Sequence, residues 1–197
     1  RHQHTATETV LQTKISIQMK KTVLTYGPIA GVIIVLLMAL FFGLMSKEQD
    51  FQMGEVLGYA SMIVALSTIF VGIRKYRDDE LGGMITFGKA FQVGLLITLV
   101  ASAIYVAAWM FYSAGGGADE MMTTFLDQTV EKMKASGATE AEISAKVAEM
   151  KQFQEMYKNP IVKIGITFLE IFPVGLIISL IAAALLRKTE ANVSVAE

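Results

Sequence analysis

The sequence predicts an all-α fold, a four-helix transmembrane bundle with an extramembrane helical hairpin between helices three and four. Three observations predict it. Hydrophobic residues make up 53% of the 197-residue chain and charged residues 18%, where an average soluble domain has about 25% charged. Mean hydropathy is +0.50. The apolar residues are gathered into four long segments, each near the roughly 20 residues that a helix needs to cross a bilayer core ~30 Å thick.

Residues 1–18 are polar and rich in Thr and Gln with no sustained period, and they read as a disordered extension. Met19-Lys20-Lys21 then looks like a natural bacterial start with a basic flank. The first span covers about residues 22–45 and contains no charge. A cleaved signal peptide is the rival reading, but the apolar run is too long for an h-region and no small-x-small site follows it. Pro28 falls in its first turns, where a missing N–H is tolerated. A polar link, residues 46–50, leads to a second span at about 54–73. Next come Arg74-Lys75-Tyr76-Arg77-Asp78-Asp79-Glu80 and the turn pair Gly82-Gly83. The third span covers about 87–112 and ends in Tyr105, Trp109 and Tyr112, residue types that favour the headgroup boundary. The fourth covers about 161–186, stops at Arg187-Lys188 and leaves a tail at 189–197.

Residues 113–160 form the polar insertion. Gly115-Gly116-Gly117 opens it as a joint rather than a phosphate loop, since no Lys-Ser/Thr follows. Met121, Met122, Phe125, Leu126, Thr129, Val130 and Met133 recur at helical spacing, and Gly137 suits the C′ position that ends such a helix. Thr139 followed by Glu142 is a capping-box start for a second helix. Ile143, Val147, Met150 and Tyr157 form that helix's apolar face, and Asn159-Pro160 ends it.

Basic residues near membrane ends tend to stay cytoplasmic. Lys20, Lys21, Arg74, Lys75, Arg77, Lys89, Arg187 and Lys188 all fall on one side of a four-span topology, against Lys47 in the first opposite loop. Lys158 and Lys163 count the other way, accompanied by the hairpin acids. The expected arrangement is N-in and C-in with the hairpin outside.

Composition also bounds function. A net charge of −1 gives no electrostatic case for nucleic acid. Cysteine is absent, and the two histidines, His2 and His4, lie at the extreme N-terminus. No thiolate or imidazole chemistry is open to the body of the protein, so no catalytic, metal or cofactor-binding residue is assigned, no cofactor is expected, and the chain reads as a non-enzyme.

Five intramembrane residues are candidates for function or structure: Glu170, Pro173, Ser102, Tyr105 and Glu55. Glu170 lies about nine residues into span four, roughly 13 Å below the outer boundary at 1.5 Å per residue. An acid at that depth costs about 2.5–3.5 kcal/mol on insertion scales and marks a functional site by default. Pro173, three residues on, removes a helix hydrogen bond. Ser102, Tyr105 and Ser61 fall at similar depth and are possible hydrogen-bond partners. Glu170 then reads as a cross-helix hydrogen bond, a proton- or ion-handling acid, or a ligand contact. Glu55 sits at the outer mouth of span two as an interfacial charge or a partner of Lys163, and Lys89 snorkels at the inner end. The pairs Gly27/Gly31 and Gly54/Gly58 have small-xxx-small spacing. Asn192-Val193-Ser194 is formally a glycosylation sequon, but it falls in the cytoplasmic tail.

The stretches GEVLGYASMIVALSTIFVGIRKYRD, ITFGKAFQVGLLITLVASAIYVAAWM, EKMKASGATEAEI and YKNPIVKIGITFLEIFPVGLIISLIAAALLRK resemble the bacterial family called domain of unknown function 4199. The resemblance covers about Met19 to Lys188. It implies a multi-pass inner-membrane protein, typical of Bacteroidota, with a periplasmic hairpin, and it brings no activity or catalytic residue with it. Three functions are open: a scaffold, sensor or accessory protein working through the hairpin, a small oligomeric transporter or channel subunit using Glu170, and a membrane enzyme limited to Glu55 and Glu170. The expected partners are the lipid bilayer and either another protein or further copies of the chain.

Overall fold

The computed structural model describes the backbone of residues 2–44 and 51–189 and the side chains of residues 15–40 and 54–189. Four helical stretches are long and apolar enough to cross a membrane: Ile15–Leu40, Gly54–Glu80, Phe87–Ala114 and Pro160–Leu186. These are spans one to four. The expected link at 46–50 and all of the tail past Thr189, with Asn192-Val193-Ser194, lie outside the described residues.

Helix α1 (His2–Leu44) contains span one. The expectation of a disordered extension over residues 1–18 is not met, because α1 runs from His2 without a break. No glycine or proline interrupts that stretch, so a helix stabilised in the apolar span continues outward one hydrogen bond per residue. Met19 is buried, Ile15 packs on the core, and the Tyr76 hydroxyl donates to the Ile15 carbonyl at 3.2 Å. Pro28 therefore lies inside the helix rather than in its first turns.

Span two is not one unbroken helix. α2 (Phe51–Leu66) gives way at Ser67 to α3 (Thr68–Lys75). The Ser67 hydroxyl donates to the Ile63 carbonyl at 2.7 Å, and its N–H is shared between Ile63 and Val64. Such back-bonding by a serine bends helices. A π-helical turn, Tyr76–Glu80, then extends the span into the stretch expected to be a charged loop. There Arg74 and Arg77 pair with Asp78, and Lys75 with Asp79, which offsets the charge that would otherwise end the helix.

α4 (Phe87–Ala114) is span three and α7 (Pro160–Leu186) is span four. Between them stand α5 (Gly117–Ala135) and α6 (Glu140–Tyr157), the expected hairpin. Gly137 adopts φ +81° just past α5, and the Thr139–Glu142 capping box opens α6 with both reciprocal bonds made. Asn159 does more than end α6. Its side chain caps α7, with Pro160 at the first turn where proline is preorganised.

The exterior of the bundle is as apolar as its core, unlike that of a soluble protein. Leu24, Leu36, Phe111, Ile161, Leu169 and Leu185 are each more than 60% exposed, while Thr98, Ser102, Thr167 and Ser179 are at most 2% exposed. Lipid tails solvate the apolar outside, and association then depends on close packing and hydrogen bonds within. Spans three and four meet through glycines: Gly94 lies against Ser179, and a Cβ on Gly175 would collide with Thr98. The two hydroxyls bond at 3.1 Å in the space so created. Span one packs on the other side of span three, where Cβ atoms on Gly27 and Gly31 would lie 2.6 Å from Val100 and 2.8 Å from Ile104. The Gly54/Gly58 pair does not repeat this, since nothing lies within 4 Å of a Cβ on Gly58.

Overpacking a close contact costs about 1–3 kcal/mol. Gly175→Leu is therefore expected to lower the thermal unfolding temperature of the detergent-purified protein, while Gly58→Leu leaves it unchanged. Equal midpoints for the two variants would contradict the seam.

Candidate functional site

Span four places Glu170 ten residues after Pro160, about 15 Å along the helix axis and so near mid-membrane. Its side chain is exposed at the bundle surface, and its carboxylate accepts a hydrogen bond from the Tyr105 hydroxyl at 3.4 Å. Tyr105 is itself only 6% exposed. Glu170 thus has one side against a buried phenol and the other toward the zone that lipid occupies. Its bond to Tyr105 is long, and a carboxylate has capacity for further donors.

The other expected partners do not join. Ser102 is fully buried and its Oγ makes no hydrogen bond in the described structure, while the Ser61 hydroxyl donates to Leu57 on its own helix at 2.7 Å. Pro173 leaves α7 continuous and lies exposed one turn below Glu170. With no N–H to give, it frees the Leu169 carbonyl beside the acid. Glu55 is exposed, and among the described residues it makes no ion pair with Lys163. Lys163 instead stands 5.3 Å above the ring of Tyr157, within cation–π range.

Above Glu170 an aromatic series leads to the hairpin. The Trp109 indole N–H donates to the Tyr157 hydroxyl at 2.7 Å, so the last turn of α6 is tied to span three. Trp109 is only 7% exposed, because it serves this contact. Tyr112 packs under Gly117, where a side chain would collide with its ring. The tri-glycine joint is therefore fitted against the bundle.

The hairpin itself is thinly covered. Ala118 and Met150 are its buried residues among those described, while Phe125, Phe153 and Met156 are 39–48% exposed. Two helices lying side by side cover only one face of each. The hairpin is also acidic, with eight Asp and Glu against five Lys over residues 113–160. Two of its charges are locally fixed. The backbone N–H and hydroxyl of Thr139 hold the Glu142 carboxyl below the usual range, and the hydrogen bond from Lys158 to Glu155 raises the lysine.

Three features were not anticipated: the Thr98–Ser179 pair, the Trp109–Tyr157 tie, and a basic cavity at the opposite end of the bundle. The first had a signal, because Gly94/Thr98 and Gly175/Ser179 both show small-xxx-small spacing. The other two join residues far apart in the chain, and no local pattern marks them.

Four apolar spans with a lipid-like exterior and a core of apolar side chains and a few buried hydroxyls define a multi-pass α-helical membrane protein with an extramembrane hairpin. The chain belongs to the family described as Protein of unknown function (DUF4199), which it matches over residues 25–188. No curated protein and no solved structure matches it.

Proposed function

We propose that the chain is a non-enzymatic scaffold, sensor or accessory protein of the bacterial inner membrane, oriented N-in and C-in, which engages a protein partner through a periplasmic hairpin. The observation that carries this reading is the hairpin's combination of firm attachment and incomplete cover. Trp109, Tyr112 and the Asn159 cap fix its base, while Phe153 and Met156 remain exposed on α6. Exposed methionine and aromatic side chains suit an adaptable protein contact. The excess of acids argues against the hairpin lying on anionic lipid, which attracts lysine-rich surfaces instead. The orientation is read from the eight basic residues, six of which flank the end of the bundle opposite the hairpin. Tyr76 bonds Ile15 there, Arg77 bonds the Leu186 carbonyl, and Ile85 pairs with Lys188.

A photo-crosslinking residue placed at Phe153 tests the reading in living cells. A discrete cross-linked product carrying a second protein is expected, and Met156→Ser should reduce its yield severalfold. A product of twice the chain mass would replace the partner with a second copy. No product with any protein, in cells where the chain is inserted and stable, would sink the proposal.

A second reading, a small oligomeric transporter or channel subunit, is favoured by Glu170 alone. An acid exposed at mid-membrane beside a buried tyrosine can hold a proton or cation that a partner subunit completes. Under this reading Glu170→Gln abolishes proton or cation flux in proteoliposomes without lowering expression. Full flux in that variant would leave the acid a structural role.

A further inference from the structure

A cavity of about 420 Å³ opens at the end of the bundle opposite the hairpin, within the size range of small-ligand sites. Lys89 and Lys188 line it together with Thr86, and Ile15, Leu81, Met84 and Ile85 supply the apolar wall. Lys89 is on the first turn of span three, and Lys188 stands two residues past the end of span four. Both are therefore at the height where a membrane presents its headgroups.

The frame of this cavity is built from backbone. Ile85 and Lys188 exchange two hydrogen bonds of 2.9 Å in an isolated antiparallel pair, which joins the loop after span two to the end of span four. Arg77 donates to the Leu186 carbonyl at 3.2 Å and steadies the same end. Thr86 caps α4, its hydroxyl accepting from the Lys89 backbone N–H at 3.4 Å.

Charge separates these two lysines from the basic residues that end span two. Arg74, Lys75 and Arg77 are each paired with Asp78 or Asp79. Among the described residues, Lys89 and Lys188 have no ion pair. Two carboxylates of the loop thus pair three of its cations, while Lys89, at the positive end of the α4 dipole, and Lys188, past the end of α7, line one cavity. Two cations, a hydroxyl and an apolar wall at headgroup height match one ligand chemistry, a phosphate ester with a hydrocarbon tail.

We infer that this cavity binds an anionic phospholipid, its phosphate between Lys89 and Lys188 and the start of its acyl chain against Leu81, Met84 and Ile85. The lipid bridges the loop after span two and the end of span four, so it reinforces the Ile85–Lys188 pair. The inference depends neither on the hairpin's partner nor on Glu170, and it holds for whichever leaflet faces this end.

The experiment uses the full chain purified in detergent and stripped of lipid, followed by native mass spectrometry and thermal unfolding. Phosphatidylglycerol is titrated in, with phosphatidylcholine and inorganic phosphate as parallel arms. Phosphatidylglycerol is expected to form a one-to-one adduct and raise the unfolding temperature. In Lys89→Gln/Lys188→Gln its affinity should fall on the order of 20-fold, from the loss of two lysines near a lipid phosphate. Lys89→Arg/Lys188→Arg should retain most of the binding, and both variants should unfold like the unsubstituted protein when no lipid is present. Equal adducts with phosphatidylcholine, or undiminished phosphatidylglycerol binding in the glutamine variant, would overturn the inference. Inorganic phosphate that stabilises as well as the lipid would reassign the cavity to a soluble anion. Should the glutamine variant be unstable without lipid, Lys89→Gln alone carries the same comparison, with about fivefold expected, and unchanged affinity there overturns the inference too.

Discussion

The close approach of spans three and four is the contact on which the remaining structure depends. In lipid there is no hydrophobic gain from bringing two apolar helices together, so van der Waals contact and hydrogen bonding must hold them. Gly94 and Gly175 supply the necessary space, and the Thr98–Ser179 bond at 3.1 Å fills it. Span one then packs on the opposite flank of span three through Gly27 and Gly31. Both ends of the seam are used. At one end Trp109 and Asn159 set the base of the hairpin, and at the other Ile85 and Lys188 lock the loop after span two to the end of span four.

That arrangement makes the placement of Glu170 unusual. The other polar groups at depth on spans three and four, Thr98, Ser102, Thr167 and Ser179, are turned inward and buried. Glu170, a charged residue at mid-span, faces outward, with Tyr105 as a hydrogen-bond partner. A carboxyl so placed is costly to keep ionised against lipid, and either a proton or a partner's donor relieves that cost. Both readings of function meet at this point, because each has the chain completed by something outside itself. The hairpin exposes its apolar side chains to a partner beyond the membrane, and Glu170 exposes its carboxyl within the membrane.

How much was legible in the sequence follows from the range of each interaction. The spans were legible because a bilayer imposes a length of apolar helix that short-range composition reveals. The α6 start was legible because Thr139 and Glu142 contact each other across a single turn. Glu170 was legible in depth, which is a residue count, but not in direction, which depends on how span four rotates to bring Gly175 onto Thr98. The glycine pairs show the limit well. Gly27/Gly31 and Gly54/Gly58 share one spacing, yet Gly27 and Gly31 both meet span three while span two leaves Gly58 uncovered. The break at Ser67, the outward continuation of α1 and the basic cavity were not legible. The first two arise from helix continuity competing with local polarity, and the cavity joins Ile15, the loop at 81–89 and Lys188.

The chain has no cysteine, so a pair introduced at Thr98 and Ser179 reports on the seam without background. With Thr98→Cys/Ser179→Cys in native membranes, mild oxidation should form an intramolecular disulfide, seen as a mobility shift that reductant reverses. Thr98→Cys/Leu185→Cys, with Leu185 72% exposed on the outside of span four, should give none. Failure of the first pair to cross-link, or equal cross-linking of both pairs, would contradict the packing from which the rest of the structure has been derived.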